Sequence, residues 1–121
     1  DKEKKMANTF KVKTHTAMPD TAGTPLTLYT CPGSTTTIVL GLVVANLDGS
    51  TRTASVQLVS NTNDTETNET VLLVKDAPIP AGGSLEILTG SKVVVQATDV
   101  LKIDCDVADK LDATLSIMEI T

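Results

Sequence analysis

The stretch Thr36-Thr37-Ile38-Val39-Leu40-Gly41-Leu42-Val43-Val44-Ala45-Asn46 is the longest apolar run of the chain and decides its fold class. It is rich in β-branched residues, which favour β-strands. Both alternating faces are apolar, with Ile38, Leu40, Leu42 and Val44 on one and Val39, Gly41, Val43 and Ala45 on the other. Such a strand is covered on both faces, so we predict a central strand with a second sheet on one side and a further layer or a neighbouring subunit on the other.

Shorter segments around this run alternate between apolar and polar residues and predict further strands. They span 10–15, 26–31, 52–60, 70–75, 84–89, 92–96, 100–106 and 111–120, with turn residues between them. Asp48-Gly49 is a favoured hairpin turn, so we expect the central strand to pair with 52–60. No segment shows a convincing helical period. This pattern predicts one all-β domain, a single antiparallel β-sandwich of jelly-roll or immunoglobulin-like type with about eight short strands.

The composition limits the core and the partners. Of the 121 residues, 40% are hydrophobic but only 2% are aromatic, so the core must consist of Val, Leu, Ile and Ala. The net charge of -5 argues against a nucleic-acid partner, which requires a basic surface. No apolar segment approaches the roughly 18–20 residues that span a bilayer, so we expect no membrane partner. The N-terminus is charged and lacks an apolar signal region, which indicates synthesis in a cytoplasm.

The chain is expected to divide into an N-terminal arm, residues 1–9, and a β-sandwich domain, residues 10–121. Asp1 to Lys5 are all charged, which is typical of a solvated segment that a partner can order. The two cysteines, Cys31 and Cys105, are far apart in sequence. Two buried thiols are the favoured interpretation, and a disulfide between distant strands is the alternative.

Three polar groupings match functional sites only in part. The loop 61–69 contains several oxygen side chains, but their spacing matches no calcium loop, so we favour a solvated loop over an ion site. His15 is the only histidine, and no nucleophile or orienting partner is evident for it. Asp104, Asp106 and Asp112 are placed on outward faces of adjacent strands, where carboxylate pairs can cleave glycosides. The scarcity of sugar-stacking aromatics favours a charged sheet face instead. We therefore predict no catalytic residue, no metal ligand and no cofactor.

Two segments show a resemblance to known proteins. The first is Tyr29-Thr30-Cys31-Pro32-Gly33-Ser34, which opens the central strand, and the second is Ile79-Pro80-Ala81-Gly82-Gly83-Ser84-Leu85-Glu86-Ile87-Leu88, followed by Thr98-Asp99-Val100-Leu101. This pattern of turns and strands resembles small β-sandwich virion structural proteins of tailed bacteriophages, especially of marine and cyanobacterial phages. It covers most of the chain after Leu26, although the first turn is compressed relative to the family pattern.

The resemblance implies a structural protein of the virion, assembled in the host bacterial cytoplasm and without enzyme activity. Within this class we favour a capsid decoration (cement) protein that contacts the major capsid protein as a homo-oligomer, with a trimer as the favoured form. A neck, tail or fibre-attachment adaptor is the alternative, as is a receptor- or carbohydrate-binding module on a fibre, which the scarcity of aromatics disfavours. The residues before Phe10 are expected to help attachment. Candidate interface residues are Phe10, Val12, Tyr29, Val39, Val43, Met118 and Ile120.

Overall fold

The computed structural model describes residues 7–60, 67–88 and 92–121, and every regular element within them is a β-strand. The strands are β1 (Asn8–Met18), β2 (Leu26–Thr30), β3 (Thr36–Asn46), β4 (Arg52–Val59), β5 (Val71–Ile79), β6 (Ser84–Ile87), β7 (Val93–Val95), β8 (Val100–Cys105) and β9 (Leu111–Ile120). Most predicted strands are confirmed to within a few residues. β5 continues through Pro78, which an edge strand tolerates because no ladder hydrogen bond is lost there. None of these residues forms a helix that could cross a membrane.

The strands form two antiparallel sheets that pack face to face, which confirms the predicted sandwich. Sheet A has the order β1-β9-β3-β6, with β7 also beside β3, and sheet B has the order β2-β8-β4-β5. β7 pairs with residues 37–39 of β3, whereas β6 pairs with residues 42–45 along the same edge. When β6 and β7 are counted as one interrupted strand, four strands face four in jelly-roll order. The jelly roll is therefore the correct one of the two predicted sandwich types.

The predicted hairpin between β3 and β4 is wrong, because the two strands lie in different sheets. Both edges of β3 are already occupied, by β9 on one side and by β6 and β7 on the other. The turn after β3 therefore leads the chain across to sheet B. Asn46, which is buried, fixes this crossing: its side-chain amide donates hydrogen bonds of 2.9 Å to the carbonyls of Ser50 and Ile79, and its Oδ1 accepts one from the Asp48 amide.

β3 contains a β-bulge that the sequence pattern did not predict. Val39 is opposite Ile117 and Gly41 is opposite Ser116, so Leu40 is an extra residue without a partner on β9. The bulge reverses the alternation along the strand. The buried residues of β3 are Thr37, Val39, Leu42, Val44 and Asn46. The expectation that Leu40 shares a face with Leu42 is therefore wrong.

The core between the sheets is aliphatic, as the composition predicted. Its largest fully buried side chains are Met18, Val39, Leu42, Val44, Val56, Ile79, Val95, Leu101, Ile103, Leu111, Leu115 and Ile117. Cys31 and Cys105 are both buried and unbonded, which confirms the favoured interpretation and excludes the disulfide from this structure. β1 already begins at Asn8, inside the predicted arm, whereas residues 1–6 of that arm lie outside the described residues.

Candidate functional site

A row of apolar side chains crosses sheet A on the side that faces away from sheet B. Phe10 on β1 is opposite Met118 on β9, Met118 is opposite Ile38 on β3, and Ile38 is opposite Val94 on β7. Side chains at facing positions of neighbouring strands point to the same side of a sheet. Since the next residues along β3, β7 and β9 point into the core and are fully buried, the row points outward.

Further apolar side chains extend this row. Val12 is 60% exposed on β1, Leu40 is exposed at the bulge, Val43 is exposed further along β3, and Ile120 is half-buried at the end of β9. We call the combined surface the apolar face; it comprises Phe10, Val12, Ile38, Leu40, Val43, Val94, Met118 and Ile120. Contiguous exposed apolar surface of this kind marks an interaction site in soluble proteins.

The remainder of the outer side of sheet A is polar. Glu86 on β6 is opposite Val43, at the border of the apolar face. Asp112 on β9 accepts hydrogen bonds from Thr16 Oγ1 at 2.7 Å and from the Ala17 amide at 2.9 Å, and these bonds lower its pKa. The carboxylates Glu86 and Asp112 therefore lie towards one end of the strands, and the apolar face occupies the other end.

The outer side of sheet B is polar over most of its width. Along β4 and β8, Ser55 is opposite Asp104 and Gln57 is opposite Lys102. At the β5 edge, the Asp76 amide donates a 2.9 Å hydrogen bond to Ser55 Oγ. Alternation of opposite charges and hydroxyls across strands is typical of a sheet that faces water. The sandwich is therefore two-sided, with an apolar region on the outer side of sheet A and a mostly polar outer side on sheet B.

The predicted interface residues fall into two groups. Phe10, Val12, Val43, Met118 and Ile120 all belong to the apolar face. Tyr29 and Val39 do not, because they are 4% and 0% exposed and form part of the core. Uninterrupted alternation along β3 predicts that Val39 faces outward, and this prediction is wrong because the bulge at Leu40 turns Val39 into the core.

Sequence reasoning missed three members of the apolar face: Ile38, Leu40 and Val94. Ile38 and Leu40 were missed because the bulge changes which residues of β3 face outward. Gly41 was the available signal, since a glycine inside a strand often marks a bulge. Val94 lies in a short run of three valines, whose sequence gives no indication of which one faces the core.

A buried polar cluster lies on the core side of sheet A, beneath the apolar face. Tyr29 Oη donates a 2.6 Å hydrogen bond to Glu119 Oε2 and lies 2.8 Å from Thr37 Oγ1. The other carboxylate oxygen of Glu119 pairs with Lys11 Nζ at 2.8 Å, and Cys31 Sγ lies 3.3 Å from Thr37 Oγ1. The cluster joins β1, β3 and β9 to β2 of the opposite sheet. It thereby holds the register that decides which residues of sheet A face outward.

The pKa shifts in this cluster favour a structural role over a catalytic one. Hydrogen bonds from Lys11 and Tyr29 lower the pKa of Glu119, so its carboxylate stays ionised. Burial, and then the hydrogen bond to Glu119, raise the pKa of Tyr29. Burial also raises the pKa of the Cys31 and Cys105 thiols. A thiol with a raised pKa stays protonated and is a weak nucleophile.

The three aspartates proposed as a carboxylate group are not brought together. Asp104 and Asp106 lie on and just after β8 in sheet B, whereas Asp112 lies on β9 in sheet A. The expectation that they occupy adjacent strands is wrong, because β8 and β9 lie in different sheets. Asp106 instead accepts a 3.2 Å hydrogen bond from the Thr53 amide and lies 3.6 Å from the Arg52 guanidinium.

A pocket of about 610 Å³ with both polar and apolar lining residues borders the predicted acidic loop. Asn68, Glu69 and the buried Asp99 line it, and Asp99 accepts hydrogen bonds from Ser60 Oγ at 3.1 Å and the Gln96 amide at 3.0 Å. Residues 61–66, which supply most of the oxygen side chains of that loop, lie outside the described residues. Elsewhere in the described ranges, no three His, Cys, Asp or Glu residues are grouped as metal ligands.

Comparison with known proteins identifies the fold. No protein-family model matches the sequence, and no curated protein matches it significantly. A chain from Bacillus endospore appendages, which form a family of disulfide-linked pili, is 15% identical over 99% of this chain and 91% of its own, with a TM-score of 0.50. A chain from the structure of infectious bursal disease virus, Gx strain, is 17% identical over 93% of this chain and 33% of its own, with a TM-score of 0.52. At these identities the likeness shows a shared fold.

Proposed function

We propose that the chain is a structural subunit of a virion, and specifically a capsid decoration protein that stabilises the head through subunit contacts. The observation behind this proposal is the two-sidedness of the sandwich. The apolar face is exposed on sheet A, while the outer side of sheet B presents polar and charged side chains. A water-compatible domain with one such apolar surface is built to contact another protein.

The fold and the sequence resemblance support the same proposal. Jelly rolls are widespread in viral capsids, and one of the structures that share this fold comes from a virus. The choice of a tailed bacteriophage rests on the turn and strand pattern of residues 26–101. The location on the capsid, and not on the neck, tail or fibres, is part of what we propose.

The proposed role is mechanical and not enzymatic. The side chains with reactive groups that the core contains, Tyr29, Cys31 and Cys105, are buried and engaged in hydrogen bonds. The apolar face can instead stabilise an assembly, because burial of apolar surface contributes about 25 cal/mol per Å² to the free energy of association. Repeated over many copies, such contacts would resist the outward pressure of a packaged genome.

Labelled protein on intact particles tests the location. We expect a gold label on the chain to lie over the capsid faces in electron micrographs. A label confined to the neck, the tail or the fibres would assign the adaptor role instead. Absence of the label from purified particles would overturn the virion proposal.

The N-terminal residues offer a separate test of attachment. Asn8 and Thr9 pair with β9, so a deletion restricted to residues 1–6 leaves sheet A complete. We expect this deletion to lower the occupancy of the protein on particles while its urea unfolding midpoint stays unchanged. Undiminished occupancy would show that residues 1–6 do not contribute to attachment.

A subunit of a filamentous appendage is the second candidate, because the similarity to the spore appendage chain extends over nearly the whole length of both chains. The disulfide linkage of those pili does not fit the cysteines seen here. This chain has two, and Cys31 and Cys105 are 1% and 3% exposed. We expect neither thiol to react with a maleimide under native conditions. A ladder of disulfide-linked oligomers on a non-reducing gel would favour the appendage.

A carbohydrate-binding module on a fibre is the weakest of the alternatives. Tyr29, the only tyrosine, is buried in the core, which leaves Phe10 as the only aromatic side chain that could stack on a sugar. Sugar and receptor sites rely on several such side chains. Specific binding on a glycan array would nevertheless establish this function.

A further inference from the structure

We propose that the apolar face is the surface through which two copies of this chain pair, with sheet A against sheet A. The proposal rests on the structural role inferred above and names the partner of its main surface, a second copy of the same chain. The pair is related by a two-fold axis that lies between the sheets and runs parallel to the strands.

Charge favours a second copy as the occupant. The chain has a net charge of -5, yet the apolar face consists of Phe, Val, Ile, Leu and Met side chains, with the uncharged Ser116 between Val12 and Gly41. Two copies of a negatively charged protein repel each other, and like charges brought face to face oppose association. The apolar face is the surface on which two copies can meet without apposing carboxylates. Pairing through sheet B would instead bring residues such as Lys102 and Asp104 into the contact.

The area of the apolar face matches what a stable pair requires. Phe10, Val12 and Val94 are 71%, 60% and 53% exposed, and Leu40 and Val43 add to them. At about 150–200 Å² for each side chain, these fractions leave roughly 400–500 Å² of apolar surface. A standard interface buries about 800 Å² on each partner, of which somewhat more than half is apolar. The apolar face therefore supplies about the whole apolar part of such an interface.

The order of the strands makes the face complementary to itself. A two-fold axis parallel to the strands places β1 of one copy over β7 of the other, and β9 over β3. Phe10 then meets Val94, and Met118 meets Ile38, each contact occurring twice. A large side chain faces a smaller one at the edges of the row, which allows the two sheets to interdigitate at about 10 Å separation.

This pairing gives the proposed decoration protein a way to cross-link a shell. Each copy attaches to the particle through surfaces outside the apolar face, and the pair bridges two neighbouring positions. The arrangement predicts an even-numbered assembly, in contrast to the trimer that the sequence resemblance favours.

Sedimentation equilibrium of the purified chain tests the pairing without any particle. We expect a mass of about twice the 12.7 kDa of the chain at micromolar concentration. Val94→Lys should raise the dissociation constant at least about 100-fold, because it places two buried lysines in the pair. Leu72→Lys is the matched control: Leu72 is 52% exposed on an edge strand, but it lies on the outer side of sheet B. This control should remain paired.

Several outcomes would overturn the proposal. They are a monomeric or trimeric wild-type chain, or a pair that Leu72→Lys disrupts and Val94→Lys leaves intact. Loss of particle binding in Val94→Lys, with a wild-type chain that is monomeric in solution, would assign the face to a different virion protein. Because no particle is present in the sedimentation experiment, failure of the pairing leaves the proposed virion location to its own labelling test. Urea unfolding of both variants verifies that each chain folds.

Cross-linking over a short span tests the symmetry. The double variant Phe10→Cys, Val94→Cys should be captured as a covalent dimer by a bismaleimide that spans about 8–10 Å, because the two positions face each other across sheets about 10 Å apart, which is too far for a direct disulfide. Phe10→Cys alone should not, since the two copies of residue 10 lie at opposite edges of the interface, roughly 14 Å or more apart. Covalent dimers from the single variant would overturn the proposed axis.

Discussion

The outer surfaces of the two sheets are built from the same kind of strand but face different surroundings. On sheet B, polar side chains stand opposite each other across strands, as in the pairs Ser55 with Asp104 and Gln57 with Lys102. On sheet A, the row from Phe10 to Val94 contains no polar side chain. Both sheets cover the same core, so stability of the isolated domain does not require this difference. The proposed pairing through sheet A accounts for this difference.

The difference depends on register. The outward side chains of sheet A are selected by the bulge at Leu40 and by the buried cluster around Glu119, which together decide the direction of each side chain on β3 and β9. A slip of one residue would exchange the core and solvent faces of a strand. Substitutions at the bulge and in the buried cluster are therefore expected to have the larger effects.

The largest effect is expected at the bulge. Val39→Asp places a carboxylate in the apolar core and should cost about 4 kcal/mol or more, or prevent folding. Leu40→Asp, one residue further on, should cost about 1 kcal/mol or less, because Leu40 is exposed at the bulge. Urea unfolding at pH 7 in a Val94→Lys background measures both without a contribution from association. Comparable losses at the two positions would contradict the bulge and the division of faces that follows from it.

An intermediate effect is expected at Glu119. Glu119→Gln weakens the hydrogen bonds from Tyr29 and Lys11 and should cost about 2 kcal/mol at pH 7. The pKa of Glu119 is lower in the folded chain than its ordinary value of 4.5, so the folded state binds this proton more weakly. The stabilisation is complete above that value and is lost as the pH falls through the lower folded pKa.

The free energies of unfolding of the wild type and Glu119→Gln should therefore converge between pH 7 and pH 3. Glu86→Gln is the matched control, because Glu86 is an exposed glutamate on the outer side of the same sheet. It should change stability by less than about 0.5 kcal/mol. A difference between wild type and Glu119→Gln that persists unchanged at pH 3 would show that the carboxylate charge does not stabilise sheet A.

The smallest effect is expected on the outer side of sheet B. Ser55→Ala removes a hydroxyl that accepts a hydrogen bond from the Asp76 amide at an exposed position, where water can replace it. We expect a loss of less than about 1 kcal/mol and no change in association by sedimentation. A marked change in association would mean that sheet B is also an interface, and the two outer surfaces would then no longer differ in role.

Local sequence signals predicted the strands well. The turns at Cys31-Pro32-Gly33-Ser34 and Asp48-Gly49, together with the alternation in 100–106 and 111–120, gave element positions close to those observed. The aliphatic core followed from the composition, because two aromatic residues cannot dominate a domain of this size. These predictions succeeded because each depends on a few neighbouring residues.

Strand pairing and side-chain direction could not be predicted in the same way. The partner of β3 is β9, more than sixty residues away, and no local feature distinguishes it from the adjacent β4. Both sets of alternate residues in β3 are apolar, so either set could face the core. The sequence pattern therefore gave no sign of the bulge. Glu119 did offer a signal: it is a charged residue on the core-facing side of an otherwise apolar alternation. Such a charge requires a partner, and the lysines of β1 were the available ones.

The position of β9 between β1 and β3 has a consequence for synthesis in the cell. Sheet A cannot close until the ribosome has released residues 111–120, because the first and third strands share no edge without them. A growing chain therefore keeps the facing edges of β1 and β3 unpaired, and the core residues of β9 absent, until this strand emerges. Productive folding is expected only after β9 has left the ribosome, and chains that stop before it are expected to aggregate.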